Sequence, residues 1–161
     1  MIIEPEHTSK SVAVALLTVA DGAMGDGGAA PVLAERIRGH GHALVTKASE
    51  KPDLHRVGAR LNNWIDDRTI DAVIVAGGTG IGPQGVTPEA VDRVATRTLP
   101  GFGELVRRLC HPALGSAMAL DGSAAVLARG TAIFTLPDNA EAAAIVWDQI
   151  LADVLPHFAR G

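Results

Sequence analysis

The stretch DAVIVAGGTGIGPQGVTPEA, residues 71–90, contains the pattern that decides the fold of this chain. It opens with an apolar, β-branched run, residues 72–76, which stops at Gly77-Gly78-Thr79-Gly80. A helix-start signal, Thr87-Pro88-Glu89, follows. This order predicts a buried strand, a glycine turn and a helix. Because glycine lets a phosphate or carboxylate approach bare backbone N–H groups, the turn predicts binding of an anionic small molecule.

Outward from this stretch, the chain alternates strand and helix patterns. Strands are predicted at residues 11–19, 43–48 and 72–76, with a hairpin of strands 124–127 and 131–136. Helices are predicted at residues 29–39, 52–67, 87–98, 101–110, 112–119 and 139–154. Such alternation is typical of a mainly parallel sheet covered on both faces. We therefore predict an α/β fold, a three-layer α/β/α sandwich over residues 11–161, preceded by a flexible N-terminal arm, residues 1–10.

The composition limits the classes of partner. With 161 residues, 47% of them hydrophobic, the chain can form one domain with a sizeable core. A formal net charge of −4 and only 3% aromatic residues argue against a nucleic-acid partner. No apolar run approaches the length of a membrane span, so no membrane partner is expected. The single cysteine, Cys110, is expected in the core and fits a reducing, cytoplasmic location.

Three loops that follow predicted strands are rich in turn residues: 20–28, 77–87 and 137–139. If their strands are parallel, these loops meet at one edge of the sheet, where ligands bind in such folds. Asp21 and Asp26 lie in the first loop, and either carboxylate could hold Mg²⁺ or a hydroxyl group. The alternative is that each Asp-Gly pair only forms a turn.

Several familiar motifs are discounted. Gly80–Gly85 matches G-x-G-x-x-G, but the second strand that the dinucleotide fingerprint requires does not follow. Pro83-Gln84 stands where a phosphate-binding P-loop has its lysine and hydroxyl residue. His40 and His42 favour a solvated helix end over a metal pair. Asp53, which follows Pro52 at a helix start, is interpreted as an N-cap.

A series of motifs runs in order along nearly the whole chain. They are Leu17-Thr18-Val19-Ala20-Asp21, Gly41-His42, Trp64-Ile65, Gly77-Gly78-Thr79-Gly80, Val86-Thr87-Pro88-Glu89-Ala90, Pro100-Gly101-Phe102-Gly103-Glu104 and Ile133-Phe134-Thr135-Leu136-Pro137. In these motifs the chain resembles the molybdenum-cofactor biosynthesis proteins of the molybdopterin adenylyltransferase type. Residues 102–109 and Trp147 are more similar to the protein B branch of that family.

The resemblance implies a trimer, or a hexamer made of trimers, with a molybdopterin pocket at the glycine turn. Active members transfer AMP from Mg·ATP to the terminal phosphate of molybdopterin, a pterin phosphate. The ligand-binding positions implied here are Asp21, Gly77, Gly78, Thr79, Gly80, Thr87, Pro88, Glu89, Ser123 and Pro137. Asp53 is the nearest match to a catalytic aspartate, and Asp26 is the candidate metal ligand.

This sequence departs from the family pattern at charged positions. Gln84-Gly85 stands where active members have Arg-Asp, whose aspartate is one of two associated with catalysis. Pro52 aligns with the second of these aspartates. Asp121-Gly122-Ser123 replaces a segment with Ser-Arg, and residues 137–140 read Pro-Asp-Asn-Ala instead of Pro-Gly-Ser-Pro. These changes remove a metal-binding carboxylate and two guanidinium groups that would grip phosphate. The sequence therefore predicts a molybdopterin-binding protein with weak or absent adenylyl transfer.

Two alternatives stay open at this point. The first is an active adenylyltransferase that uses Mg²⁺ and ATP, with the metal held by Asp21, Asp26 or Asp53. The second is a non-catalytic oligomeric partner of other cofactor-synthesis proteins. Arg107 and Arg108 are candidate contacts for such a partner, although a solvated helix face also explains them.

Overall fold

The computed structural model describes residues 10–21 and 28–160. The strands are β1 (Ala13–Val19), β2 (Ala43–Glu50), β3 (Ala72–Ala76), β4 (Arg97–Thr98), β5 (Ala125–Ala128) and β6 (Thr131–Leu136). The helices are α1 (Ala29–Gly39), α2 (Leu54–Asp66), α3 (Thr87–Val94), α4 (Pro100–Leu114), α5 (Ala140–Val146) and α6 (Ala152–Val154). A π-helical turn, Trp147–Leu151, joins α5 to α6. The predicted N-terminal arm lies outside the described residues, except for Lys10.

The six strands form one sheet in the order β2-β1-β3-β6-β5-β4. Strands β2, β1, β3 and β6 run parallel to one another. β5 runs antiparallel to β6 and to β4. The expected hairpin of β5 and β6 therefore sits beside a parallel sheet, and the prediction of a mainly parallel sheet is confirmed.

Alternate residues of the central strands supply two separate hydrophobic cores. Ile74 packs with side chains of α1, α4 and α5 on one face of the sheet. Val73 packs with side chains of α2 and α3 on the opposite face. Because successive side chains of a strand point to opposite faces, a strand buried on both sides is apolar throughout. The prediction of a three-layer sandwich is thus confirmed, and Cys110 is fully buried in the first core. No helix among the described residues is both long and apolar enough to cross a membrane.

Two predicted helix boundaries are wrong. The helix expected at residues 87–98 ends at Val94, and Arg97–Thr98 pair with β5 as a short edge strand. The Thr96 N–H donates to Leu127 O at 2.7 Å, so tertiary pairing with β5 replaces helical hydrogen bonds. Further along, α4 continues through Pro112 instead of stopping at residue 110. Pro112 has no N–H to donate to the carbonyl of Arg108, and the helix ends two residues later, at Leu114.

His42 is also not a solvated residue, contrary to expectation. It is only 7% exposed, and its Nδ1 accepts a hydrogen bond from the Val12 N–H at 3.0 Å. Trp147 packs edge-on against both His40 and His42. Burial, and then the nearby His40, lower the pKa of His42 below its ordinary value. The folded state therefore requires neutral His42, whose Nδ1 lone pair accepts the bond.

This arrangement leads to an expected pH dependence of stability. Because the pKa of His42 is lower in the folded than in the unfolded state, the unfolded state binds more protons below about pH 6.5. The free energy of unfolding should therefore fall as the pH decreases from about 6.5 towards the folded pKa. Urea denaturation across this range measures the effect. His42→Asn, whose amide oxygen can accept the Val12 bond without titrating, should show a shallower dependence; equal slopes for the two proteins would refute this role of His42.

Candidate functional site

The parallel strands bring four chain segments to one edge of the sheet. β1, β2, β3 and β6 all end there, and Ala20, Lys51, Gly77 and Pro137 are the residues that follow them. Loops at the carboxyl ends of parallel strands are the usual ligand-binding region of such sheets. The structure therefore places the starts of the three predicted loops, and also the residue 51–53 segment, at one edge.

The turn after β3 requires glycine at its first two positions. Gly77 and Gly78 have φ angles of +104° and +68°, which side chains other than glycine rarely adopt. A Cβ at Gly77 would clash with the carbonyl oxygen of Val19, in the neighbouring strand β1. A Cβ at Gly78 would clash with Thr87 Oγ1. The glycines thus allow the turn to lie directly against β1 and α3.

Thr87 holds this turn in place. Its Oγ1 donates to Gly77 O at 2.7 Å, and its backbone N–H donates to Gly78 O at 3.0 Å. Its side chain is completely buried, so it supports the turn from behind. Thr79 has a similar role, since its Oγ1 donates to Asp121 Oδ1 at 2.8 Å. Both threonines, predicted as ligand-binding residues, use their hydroxyl groups within the protein.

The backbone N–H groups of Gly78, Thr79 and Gly80 have no acceptor in the described part of the chain. Within residues 10–21 and 28–160, none of the three donates a hydrogen bond, whereas the Gly77 N–H donates to Leu136 O at 2.9 Å. We call these three N–H groups the amide cup. Successive N–H groups in a turn of this kind form a concave site for an anion. A phosphate group fits this donor set, because its oxygens only accept hydrogen bonds.

A cavity of about 250 Å³ lies at the same turn. It is lined by Val19, Ala20, Pro52, Gly78, Gly80, Gly82, Gln84 and Gly85. Gln84 Nε2 donates to Asp21 Oδ2 at 3.3 Å. This hydrogen bond links the loop after β3 to the loop after β1. We call this space the glycine cavity. Gly78 and Gly80 line it directly, and Asp21 lies beside it.

Position 85, directly before Val86, has no space for a side chain in this loop. A Cβ on Gly85 would clash with the carbonyl oxygen of Gly80. The Gly85 N–H also donates to Gly82 O at 2.9 Å, which closes the loop on itself. A carboxylate at position 85 would therefore require the backbone at residues 80–82 to move.

Asp53 serves as the N-cap of α2, as its sequence position also suggested. Its Oδ1 accepts the Arg56 N–H at 2.9 Å, and this hydrogen bond is the main cause of the lowered pKa of Asp53. The preceding residue, Pro52, lines the glycine cavity in its place. No cluster of three or more metal-binding side chains exists in the described part of the chain. Asp26 lies outside the described residues.

The cap leads to an expected result for substitution of Asp53. Asp53→Ala should lower the free energy of unfolding by about 0.5–2 kcal/mol, because the Arg56 N–H loses its acceptor. Asp53→Asn keeps a capping oxygen and should stay close to the wild type. Chemical denaturation of both variants measures the difference. If the two variants lose equal stability, capping is not the role of this residue.

The remaining predicted site residues lie away from the glycine cavity lining. Glu89 is exposed and pairs with Arg93 at 2.6 Å, one helical turn along α3. Pro137 follows β6 beside the turn. Pro88 and Ser123 line a different cleft, on the other side of the Thr79–Asp121 contact. The structure therefore divides the predicted ligand residues between the turn, its supports and a second cleft.

Asp138 lies beside the glycine turn, and the sequence interpretation noted it only as a departure from the family pattern. Its Oδ1 accepts the Ala29 N–H at 2.8 Å, at the first residue of α1. A Cβ on Gly77 would lie 3.4 Å from Asp138 Cβ, so this aspartate is next to the glycine turn. A carboxylate of the protein thus occupies the electropositive start of α1. The contact joins residues 109 positions apart, and no local pattern predicts it.

Comparison with known proteins identifies the family of this chain. A family model described as "Probable molybdopterin binding domain" matches residues 18–157. Molybdenum cofactor biosynthesis protein B of Escherichia coli strain K12 is 31% identical over 115 residues, which cover 71% of this chain and 68% of that protein. The protein of the same name from Staphylococcus epidermidis is 30% identical over 156 residues, covering 94% and 89%.

The fold agrees with these sequence relationships. The solved structure of the molybdopterin biosynthesis Mog protein from Mycobacterium ulcerans matches this chain with a TM-score of 0.82 and 25% sequence identity. The match covers 91% of this chain and 96% of that one. Together with the match of the family model over residues 18–157, this shows that the chain belongs to the molybdenum cofactor biosynthesis protein family.

Proposed function

We propose that this protein binds molybdopterin, with the terminal phosphate in the amide cup, and that its adenylyl transfer is weak or absent. The observation that carries the proposal is that the N–H groups of Gly78, Thr79 and Gly80 meet no acceptor among residues 10–21 and 28–160. The match to a family model described as a probable molybdopterin binding domain supports the choice of ligand.

The amide cup supports binding of one phosphate group on energetic grounds. A hydrogen bond to a charged group contributes about 1.5–3 kcal/mol, and three preorganised donors can act together. The donors are preorganised because the Thr87 hydroxyl and amide fix the two carbonyl groups of the turn. The backbone therefore supplies affinity without a cationic side chain in the cavity lining.

Where the structure describes this region, it lacks the group of carboxylates that adenylyl transfer between two phosphate-bearing substrates needs. That reaction depends on positioning and on neutralisation of charge, normally by Mg²⁺ held by carboxylates. Gly85 has no room for a side chain, and the carboxylate of Asp53 is used in capping α2. Asp21 is an exposed carboxylate that already accepts a hydrogen bond from Gln84. These features support ligand binding over catalysis.

Asp138 supports the same conclusion through its charge. Its carboxylate lies at the start of α1, close to Gly77, and adds a fixed negative charge beside the amide cup. ATP, which stays negatively charged even as its Mg²⁺ complex, would add further negative charge beside this carboxylate. The site is therefore better suited to molybdopterin alone than to molybdopterin together with ATP.

The proposed setting of this function is the cytoplasm, and the proposed assembly is a homotrimer or a hexamer of trimers. The assembly is supported by the family resemblance, and other cofactor-synthesis proteins are its proposed partners. Light scattering of the purified protein tests the assembly. The expected mass is three or six times 16.6 kDa, and a monomer would contradict it.

A titration and a turnover assay on the same preparation test the function. Molybdopterin binding is measured by quenching of pterin fluorescence, first without ATP and then with ATP and Mg²⁺. Saturable binding without ATP is expected, with little adenylylated product after ATP and Mg²⁺ are added. Product formation at the rate of an active family member, assayed in parallel, would instead establish the adenylyltransferase alternative. An absence of saturable molybdopterin binding would refute the proposal altogether.

A further inference from the structure

A second cleft, of about 250 Å³, lies between α3, α4 and the start of β5. We call it the α3–α4 cleft. It does not share lining residues with the glycine cavity. Residues 121–123 separate the two spaces, because Asp121 accepts from Thr79 and the Gly122 N–H donates to Thr79 O at 2.7 Å. A ligand in this cleft would therefore occupy a separate site behind the glycine turn.

Ser123, which lines this cleft, has a buried hydroxyl group without a partner. The residue is 2% exposed, and its Oγ makes no hydrogen bond within the described residues. Its backbone groups are both satisfied, since the N–H donates to Asp121 Oδ2 at 2.9 Å and the carbonyl accepts from Arg107 Nη1 at 3.1 Å. Buried hydroxyl groups almost always have a partner. The isolated hydroxyl therefore points to a missing polar group in the cleft.

Arg107 lines the same cleft and has unused donors. Its Nη1 donates to the carbonyl oxygens of Asp121 and Ser123, at 3.3 and 3.1 Å. Its Nε and Nη2 donate to no group in the described ranges, and no carboxylate there forms an ion pair with it. The side chain lies over Gly103, where a Cβ would be 3.1 Å from both Nη atoms. A guanidinium with a free edge is suited to a carboxylate.

The rest of the cleft selects the kind of anion. Its walls include the apolar side chains of Pro88, Val91, Leu99 and Val126. Asp92 and Glu104 also line it and are exposed to solvent. These two carboxylates disfavour a multiply charged anion, while the apolar walls favour a hydrocarbon body. The Asp121 carboxylate is already used by Thr79 and by the Ser123 N–H.

From these contacts we propose that the α3–α4 cleft binds a small organic monocarboxylate. The carboxylate lies between the free edge of Arg107 and the Ser123 hydroxyl, which donates to it. The apolar body of the ligand packs against the walls formed by α3, α4 and β5. This site is independent of the proposed molybdopterin site.

Benzoate is a suitable probe, with the isosteric neutral benzamide as the control ligand. Amide chemical shifts of the isotope-labelled protein are followed by NMR during titration. Benzoate is expected to shift the signals of residues 121–125 saturably, with a dissociation constant in the range of about 1 mM. Benzamide should bind at least tenfold more weakly. The absence of saturable benzoate shifts up to about 10 mM, or equal affinity for the two ligands, would overturn the proposal.

The chain offers a matched control variant for the guanidinium. Arg107→Gln should weaken benzoate binding at least tenfold, whereas Arg108→Gln removes the same charge from the adjacent, exposed position and should have no effect. Ser123→Ala should weaken binding threefold or more. Because Arg107 also braces residues 121–123, Arg107→Lys serves as a second variant if Arg107→Gln does not fold. Equal effects of Arg107 and Arg108 substitutions would show that only net charge matters and would refute the site.

Two crossed measurements keep this proposal distinguishable from the molybdopterin proposal. Gly78→Ala should leave benzoate affinity unchanged, because Gly78 does not line the α3–α4 cleft. Saturating benzoate should leave molybdopterin affinity unchanged, because the two spaces share no lining residue. If Gly78→Ala abolishes benzoate binding in a folded protein, benzoate occupies the amide cup, and the separate site does not exist.

Discussion

Replacement of Gly77 by alanine is expected to lower the free energy of unfolding by more than about 3 kcal/mol. The φ angle of +104° already disfavours alanine, and the new Cβ would clash with the carbonyl oxygen of Val19. That carbonyl belongs to the last residue of β1, which pairs with Glu50 of β2, so its displacement would disturb the end of the β1–β2 pairing. The strain therefore cannot be relieved by rotation of a flexible side chain.

Gly82→Ala is the matched control, in the same loop. Gly82 lacks a left-handed φ angle, and a Cβ there would meet no atom within 4 Å. Its effect on stability should stay within about 0.5 kcal/mol. Urea denaturation of the two variants gives the comparison. Similar losses at positions 77 and 82 would show that the close approach of the turn to β1 is not what requires glycine at position 77.

Gly78→Ala is expected to weaken molybdopterin binding by at least about tenfold, a change of about 1.4 kcal/mol. The φ angle of +68° is unfavourable for alanine, and its Cβ would clash with Thr87 Oγ1 and approach Val19 Cγ1 to 3.0 Å. The turn must shift to accommodate it, and the N–H groups of the cup then move from their present positions. Because this affinity depends on preorganised donors, a small shift has a large effect.

Gly80→Ala is the control for Gly78→Ala. It makes the same glycine-to-alanine change in the cup without distorting the backbone. A Cβ at Gly80 meets no atom within 4 Å, and its φ angle is not in the left-handed region, so the backbone N–H stays in place. Fluorescence titration of both variants, with their folding checked by circular dichroism, measures the difference. If Gly80→Ala weakens binding as much as Gly78→Ala, loss of open space in the cavity explains the result better than distortion of the cup.

The sequence was sufficient for the parts of the fold that depend on local patterns. Residues 72–76 form a buried strand as predicted, because a continuous β-branched run suits a strand covered on both faces. The errors arise where distant contacts decide. Residues 97–98 pair with β5 although their local pattern is helical. His42 is buried because Val12 and Trp147 meet it from elsewhere in the chain.

The candidate site also has some features that the local sequence predicts and others that depend on distant contacts. Gly77 and Gly78 could be predicted as turn residues, since a run of glycines after a strand indicates an unusual backbone. The N-cap role of Asp53 could also be predicted, because it depends on residues within one helical turn. The separation of Ser123 from the glycine cavity could not, because it depends on the packing of α4 against residues 121–123.

The affinity of the wild-type protein for molybdopterin, compared with that for the same compound without its terminal phosphate, tests the central claim most directly. Both are titrated in the absence of ATP and Mg²⁺, so that no transfer reaction contributes. Because the amide cup is proposed to hold the phosphate, its removal should weaken binding by at least about tenfold, the equivalent of one charge-assisted hydrogen bond. Equal affinities for the two compounds would contradict the proposed role of the backbone N–H groups at Gly78, Thr79 and Gly80.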